Sequence, residues 1–332
     1  MKLDAPGLGD KKSFASIFER YYADEKFQDR YSNDPESAVD VIIPIIHTNE
    51  LWRANLLSIY REVPVNRLII SDGGCIDNSI EVAKEFPRVV VLDHRDYVSL
   101  GYCLRKLIEE VETEWFIYLH SDVYLPDAWF DGMKKHQQEY DWFGCPQEIT
   151  VMIEYKNVDK MGNERRPYAG SQMGKKAAFM AGLPRIDDDY VYRQEDLVLV
   201  DLVERSGFRH GWIEDTFHYH QVMHKDSPWA RKLNRVQVEV AWSADEKKRQ
   251  AETQLKGLVK YLSPSSNLVA EAETMIAVLL ETGGTDWAEI SKWIKETNPV
   301  WLQHIKYWRI QSRRLVRDKM SKLYRVIRNL YK

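Results

Sequence analysis

Between residues 40 and 120 the chain alternates short unbroken apolar runs with longer stretches in which apolar positions recur every three or four residues. "VDVIIPII", "NRLIISDGG", "RVVVLDH" and "EWFIYLHSD" read as strands, and "NELWRANLLSIYRE", "NSIEVAKEFP" and "SLGYCLRKLIEEVE" between them as helices. Unbroken runs such as Trp115 to Leu119 suit strands buried on both faces. The alternation therefore predicts an α/β fold of βαβ units, with a mostly parallel sheet whose strands end on one edge. Before it, Phe14, Ile17, Phe18, Tyr21 and Tyr22 predict an amphipathic helix within residues 12–30. Beyond about residue 225 the strand pattern stops. Helices are predicted over "SPWARKLNRVQVEVAWSADEKKRQAETQLKGLVKYL" and "SNLVAEAETMIAVLLE", a third from Asp286 with Glu289 in a capping box, and a last from Asn298-Pro299. The predicted boundaries are a helical extension over 1–37, an α/β domain over 38–228 and a helical region over 229–332.

Composition narrows the possible functions. The 332 residues carry a net charge of −4, which excludes a globally basic nucleic-acid binder. Cys75, Cys103 and Cys145 form no CxxC pair, so neither a disulfide framework nor a structural zinc site is predicted, and a reducing compartment fits. "MKLDAPGLGDKKSF" lacks the apolar core of a signal peptide, and no window reaches the roughly 18 apolar residues of a membrane-spanning helix. A cytoplasmic location is the expectation.

The tail departs from this average. From Lys306 to Lys332 the basic residues Lys306, Arg309, Arg313, Arg314, Arg317, Lys319, Lys322, Arg325, Arg328 and Lys332 face the single acid Asp318. Trp301, Ile305, Trp308, Leu315, Leu323, Ile327 and Leu330 recur at near-helical spacing, predicting a basic amphipathic helix over 299–332. Such a helix docks on an anionic membrane surface, each basic residue contributing about 1 kcal/mol, or packs its apolar face on protein or in self-association. Its aromatics sit on the apolar stripe, which argues against nucleic acid.

Three acidic clusters stand where strands run out. In "IISDGGCIDNS" Asp72 ends a strand and Gly73-Gly74 permit a tight turn; this is strand–turn–helix punctuation or the wall of a nucleotide pocket. In "LHSDVYLP" Asp122 lies two residues after His120, and imidazole with carboxylate suits Mn²⁺ or Mg²⁺. In "RQEDLVLVDLVERSG" Glu195-Asp196 opens a helix, where first-turn carboxylates favour the helix dipole or serve as a general base.

As a set, these segments resemble the inverting family 2 glycosyltransferases of GT-A fold over roughly residues 38–225. "VDVIIPIIHTNE" is similar to their first strand, "DGGCIDNS" to their "DDGSTDNS", "LHSDVYLP" to their DxD segment and "RQEDLVL" to their "GEDxDL". The resemblance implies a nucleotide-sugar donor flanked by the backbone of Pro44, Ile46 and His47 and contacted by Asp72, with Gly74 and Ser121 completing the donor pocket. It implies a divalent metal on Asp122, joined by His120 and by His218 or His220 of "FHYHQVMH", which share one face of a strand. Asp196 would deprotonate the acceptor hydroxyl, with Glu195 supporting it.

Two departures mark this chain. Gly73 replaces the second Asp of "DDG", and His120-Ser121 replace the first two DxD positions, which favours manganese over magnesium. With a membrane-docked tail the acceptor would be a lipid-linked or cell-surface glycan, and the protein peripheral on the inner face. The alternatives are a nucleotidyltransferase, for which "IPIIHTNELWR" lacks a glycine-rich basic phosphate loop, and a non-catalytic sugar-nucleotide or glycan-binding scaffold, against which Glu195-Asp196 counts.

Overall fold

The apolar runs of the first half form strands. A computed structural model describes residues 26–46, 48, 52–75, 77–95, 99–149, 170–182, 190–191, 195–220, 244–282 and 285–312. The chain divides into two compact units, Met1–Pro184 with Leu202–Glu239, and Arg185–Asp201 with Val240–Lys332. The second unit thus joins Arg185–Asp201 to the chain from Val240 onward.

In the first unit β1 (Val39–Ile45), β2 (Val65–Asp72), β3 (Val89–Asp93) and β4 (Trp115–Leu119) are mutually parallel in the order β3-β2-β1-β4. The helices Trp52–Glu62, Ser79–Lys84 and Leu100–Glu110 connect them. Val41, Ile42, Ile43, Ile69, Ile70 and Ile117 are fully buried, as unbroken apolar runs covered on both faces require. Register sets Pro44 beside Ser71 and Ile45 beside Asp72, while Ile42 pairs with Tyr118 on the other side. The strands therefore run out together on one edge. Chain order reverses between β1 and β4: the winding goes outward from β1 to β3, then returns to β4 on the opposite flank.

Beyond β4 the parallel pattern breaks. β8 (Ser171–Lys175) runs antiparallel to β4 and to β6 (Trp142–Gly144), and β9 (His210–Trp212) closes the seven-stranded sheet parallel to β6. A small second sheet joins β5 (Val123–Tyr124), β10 (His218–His220) and β7 (Gln147–Ile149), with β10 central. At the N-terminus, residues 26–29 are not helical and Arg30–Ser32 is a single 3₁₀ turn, so the leading helix predicted to residue 30 does not extend that far. The rest of that segment lies outside the described residues.

In the second unit Ala244–Tyr261 packs on Ser266–Thr282, burying Leu255, Leu258 and Val259 with Leu268, Ala272 and Ile276. Asp286 caps Trp287–Thr297 by accepting from Glu289 N at 2.8 Å, as the sequence predicts. The predicted tail helix is interrupted. Pro299–His304 stops where Ile305 turns extended, and helix begins again at residue 307 and is described as far as 312. Trp301, Ile305 and Ile310 are buried in this unit, with Trp301 Nε1 donating to Leu262 O at 3.0 Å. Trp301 and Ile305 of the predicted stripe thus face protein, because burying an indole while satisfying its N–H leaves it nothing to offer a lipid surface. Residues 313–332 lie outside the described residues.

Candidate metal centre

β4 ends at Leu119, and the next four residues make a turn closed by Val123 N donating to His120 O at 3.3 Å. The turn is held from three sides. His120 N donates to Gly170 O at 2.8 Å. Asn55 Nδ2 donates to Ser121 O at 2.8 Å, and Leu125 N to Ser58 Oγ at 3.1 Å. Arg61 donates to Tyr124 OH and Leu125 O at 2.9 and 2.8 Å. Asn55 and Ser58 lie one helical turn apart and are fully buried, an expensive placement that their bonds to this turn explain.

The turn presents His120 and Asp122 toward β10, where His220 completes a cluster whose ligand atoms all lie within 4.8 Å of one another. His220 Nε2 stands 3.1 Å from Asp122 Oδ1, and Nδ1 of the same ring lies 2.6 Å from Gln147 Oε1 on the neighbouring strand. Gln147 Oε1 can only accept, so Nδ1 of His220 donates to it and Nε2 is the ring nitrogen that faces the carboxylate. A nitrogen and a carboxylate oxygen that converge in this way suit a cation between them. Two imidazoles and one carboxylate suit Mn²⁺, and an acceptor behind the ligating histidine is the usual device that fixes its tautomer. Burial pushes the Asp122 pKa up, but His220 and His120 beside it outweigh that and hold it below the ordinary carboxylate value. The residues present thus fit a divalent cation.

His218 lies outside the His120–Asp122–His220 cluster. It shares the β10 face with His220, ring centroids 6.1 Å apart, but is fully buried, and its Nδ1 pairs with Ser171 Oγ at 2.7 Å. Burial, with His220 and His120 alongside, pushes its pKa far below the imidazole range, so it is neutral. A Cβ at Gly170 would meet its Nε2 at 2.9 Å and His220 Nδ1 at 3.4 Å, so this glycine is what lets the two rings pack where they do.

Across the strand-order reversal, the proposed donor residues also come together. Asp72 is 5% exposed. Its Oδ1 accepts from Gly74 N and Cys75 N at 2.9 and 2.8 Å, and its Oδ2 faces Arg95 Nη2 at 3.4 Å. Burial raises its pKa, yet these amides and Arg95 lower it overall. Asp72 therefore holds its own turn, with Gly74 at φ 100°. Gly73 N donates to Ile45 O at 2.8 Å, and a Cβ there would stand 3.1 Å from that oxygen, so the turn lies directly against the end of β1. Pro44 and Ile46 flank it, and Ile46 is 49% exposed. His47 lies outside the described residues. In the second unit Glu195 and Asp196 begin the helix Glu195–Arg205, Glu195 buried and Asp196 half-buried.

Sequence reasoning missed Gln147, Asn55, Ser58 and Gly170. Only Asn55 and Ser58 left a signal: two small polar residues three apart within an apolar helix.

No protein-family model and no curated protein sequence matches the chain. Similar solved structures include glucosyl-3-phosphoglycerate synthase from Mycobacterium tuberculosis in complex with Mn²⁺, UDP and glucosyl-3-phosphoglycerate, at 14% identity and TM-score 0.44, covering 77% of this chain and 84% of that one. The same enzyme with Mg²⁺ and UDP matches at 14% identity and TM-score 0.45, over 71% of this chain and 83% of that one.

Proposed function

We propose that this protein is a metal-dependent inverting glycosyltransferase that moves a sugar from a nucleotide-diphosphate donor to a hydroxyl acceptor. One observation carries the reading. The crevice where strand order reverses, the place at which open α/β sheets bind ligands, has the Pro44–Ile46 and Asp72–Gly74 turns on one flank and the His120–Asp122–His220 cluster on the other. Asp122, His220 and His120 would hold Mn²⁺ or Mg²⁺, which supplies charge neutralisation for a departing diphosphate. The backbone of Pro44, Ile46 and His47 and the Asp72–Gly74 turn would flank the nucleoside, with Ser121 beside the diphosphate. Asp196 would take the proton of the acceptor hydroxyl as it attacks the anomeric carbon from the face opposite the leaving group, with Glu195 beside it, so no covalent enzyme intermediate is needed.

The acceptor is read as a lipid-linked or cell-surface glycan, with residues 299–332 on an anionic membrane surface. Tyr307 and Trp308 are 39% and 66% exposed beside Lys306 and Arg309, which supports that docking even though Trp301, Ile305 and Ile310 are buried. No described helix is long and apolar enough to cross a membrane.

The test is thermal unfolding with UDP, GDP, ADP and dTDP, each with and without Mn²⁺. A ligand of the folded state at a hundredfold excess over its dissociation constant stabilises by about 2.7 kcal/mol. One diphosphate should raise the midpoint only with metal, and Asp122→Ala should abolish the rise. The reading fails if no nucleotide does so at millimolar concentration.

A further inference from the structure

His120, Asp122 and His220 offer two imidazole nitrogens and one carboxylate oxygen within 4.8 Å of one another. That donor set is selective. Mg²⁺ takes oxygen ligands, dehydrates reluctantly and is held by carboxylates together with substrate phosphates, so a site with a single carboxylate gives it little before a substrate arrives. Imidazole instead suits transition metals, and with such ligands affinity rises from Mn²⁺ through Fe²⁺ to Co²⁺.

The three ligands are also in place before any substrate. Asp122 sits on the turn fixed by His120 N on Gly170 O and by Asn55 Nδ2 on Ser121 O, both at 2.8 Å. β10 runs between β5 and β7, which pairs His220 with Val123, the residue after Asp122, on one side and with Ile149 on the other. Gln147 Oε1, 2.6 Å from His220 Nδ1, fixes the rotation of that ring. The His120 and His220 rings meet edge to face, centroids 5.7 Å apart at 74°, so neither stacks over the other. The Asp122 and His220 side chains keep 33% and 15% of their surface exposed, which leaves an entering ion a path and room for its waters.

We propose that this cluster is a standing transition-metal site: without any nucleotide it binds later first-row metals such as Co²⁺ more tightly than Mn²⁺, and Mn²⁺ more tightly than Mg²⁺. His120 and His220 set that order, since a carboxylate in either place would add the hard oxygen that Mg²⁺ takes. That the bound cation then meets a nucleotide diphosphate rests on the transferase reading; the order of metals does not.

The full chain, stripped of metal by a chelator that is then removed, is titrated with Co²⁺ without nucleotide and followed by visible d–d absorption. One equivalent should bind. The near-ultraviolet band of a cobalt thiolate should be missing, which separates the cluster from Cys75, Cys103 and Cys145. Mn²⁺ should displace the cobalt only at about tenfold or greater excess, and Mg²⁺ not even at about a thousandfold excess. His120→Asn and His220→Asn should each weaken cobalt binding at least about tenfold while the metal-free melting temperature stays near that of the parent, and His120→Asp should narrow the lead of Mn²⁺ over Mg²⁺ by about tenfold. Mg²⁺ displacing cobalt at equal concentration, cobalt that binds only once UDP is added, or a cobalt spectrum untouched by His220→Asn would each overturn the proposal. UDP stabilisation that Mg²⁺ supports as well as Mn²⁺ also overturns it and leaves the transferase reading standing. The expected order of metals with no nucleotide response does the reverse.

Discussion

Nε2 of His220 stands 3.1 Å from Oδ1 of Asp122 while the other nitrogen of the ring is engaged by Gln147 at 2.6 Å. The ligand pair is thereby oriented before any metal arrives. Replacing Gln147 by Leu should keep the fold but weaken Mn²⁺ affinity about 10- to 100-fold, the usual cost of losing an orienting partner. Manganese titration followed by electron paramagnetic resonance measures it, and unchanged affinity would show that Gln147 orients nothing.

Gly170 makes a sharper case. A methyl group there would press on Val123 Cγ2 at 2.7 Å and His218 Nε2 at 2.9 Å. Overpacking of this kind costs about 1–3 kcal/mol. Gly170→Ala should therefore lower the melting temperature and, by displacing His220, also reduce metal-dependent nucleotide binding; a variant that loses stability but keeps full metal response would place the strain elsewhere.

Asp196→Asn separates catalysis from binding. The substitution is isosteric and removes only the basic oxygen, so transfer should fall by at least about 100-fold while the metal-dependent UDP shift persists. Equal turnover by the variant would remove Asp196 from the reaction.

The two tryptophans of the tail segment should behave oppositely. Trp301 is fully buried and Trp308 is 66% exposed. Trp301→Ala should cost about 3–5 kcal/mol of stability, and Trp308→Ala almost none. If the tail docks on anionic vesicles, Trp308→Ala should weaken their binding in a sedimentation assay, and equal sedimentation would detach Trp308 from the membrane.

Asp141 provides the pH handle. Burial raises its pKa, but the Arg209 amide, Lys175 and the Arg209 side chain outweigh it and lower the net value. A carboxylate held below its unfolded value of about 3.9 stabilises the fold above that pH, and the contribution fades as pH falls through the native value. Asp141→Asn should thus cost about 1–2 kcal/mol at neutral pH, with the gap to the parent closing below about pH 4 in acid unfolding curves. A gap that stays constant down to pH 2 would mean that the carboxylate's charge contributes nothing.

The sequence by itself determined the four parallel strands and their helices, because runs such as "VDVIIPII" and "EWFIYLH" are apolar over a strand's length and only a sheet covered on both faces buries them. It determined Asp122 and His120 as a candidate pair, since both lie on one turn after β4, and it determined the Asp286 cap, which is local. Tertiary structure set His220, and not His218, beside Asp122. The two alternate on one strand and are equivalent to any periodicity, but Ser171 claims one and Asp122 and Gln147 the other from remote segments. It also decided the placement of Trp301, in a segment whose apolar residues carry the same spacing whether lipid or protein covers them. Trp301 is inside because Leu262, 39 positions away in the chain, offers its N–H a carbonyl. Periodicity records that a face is buried, and the partner that buries it is a long-range fact.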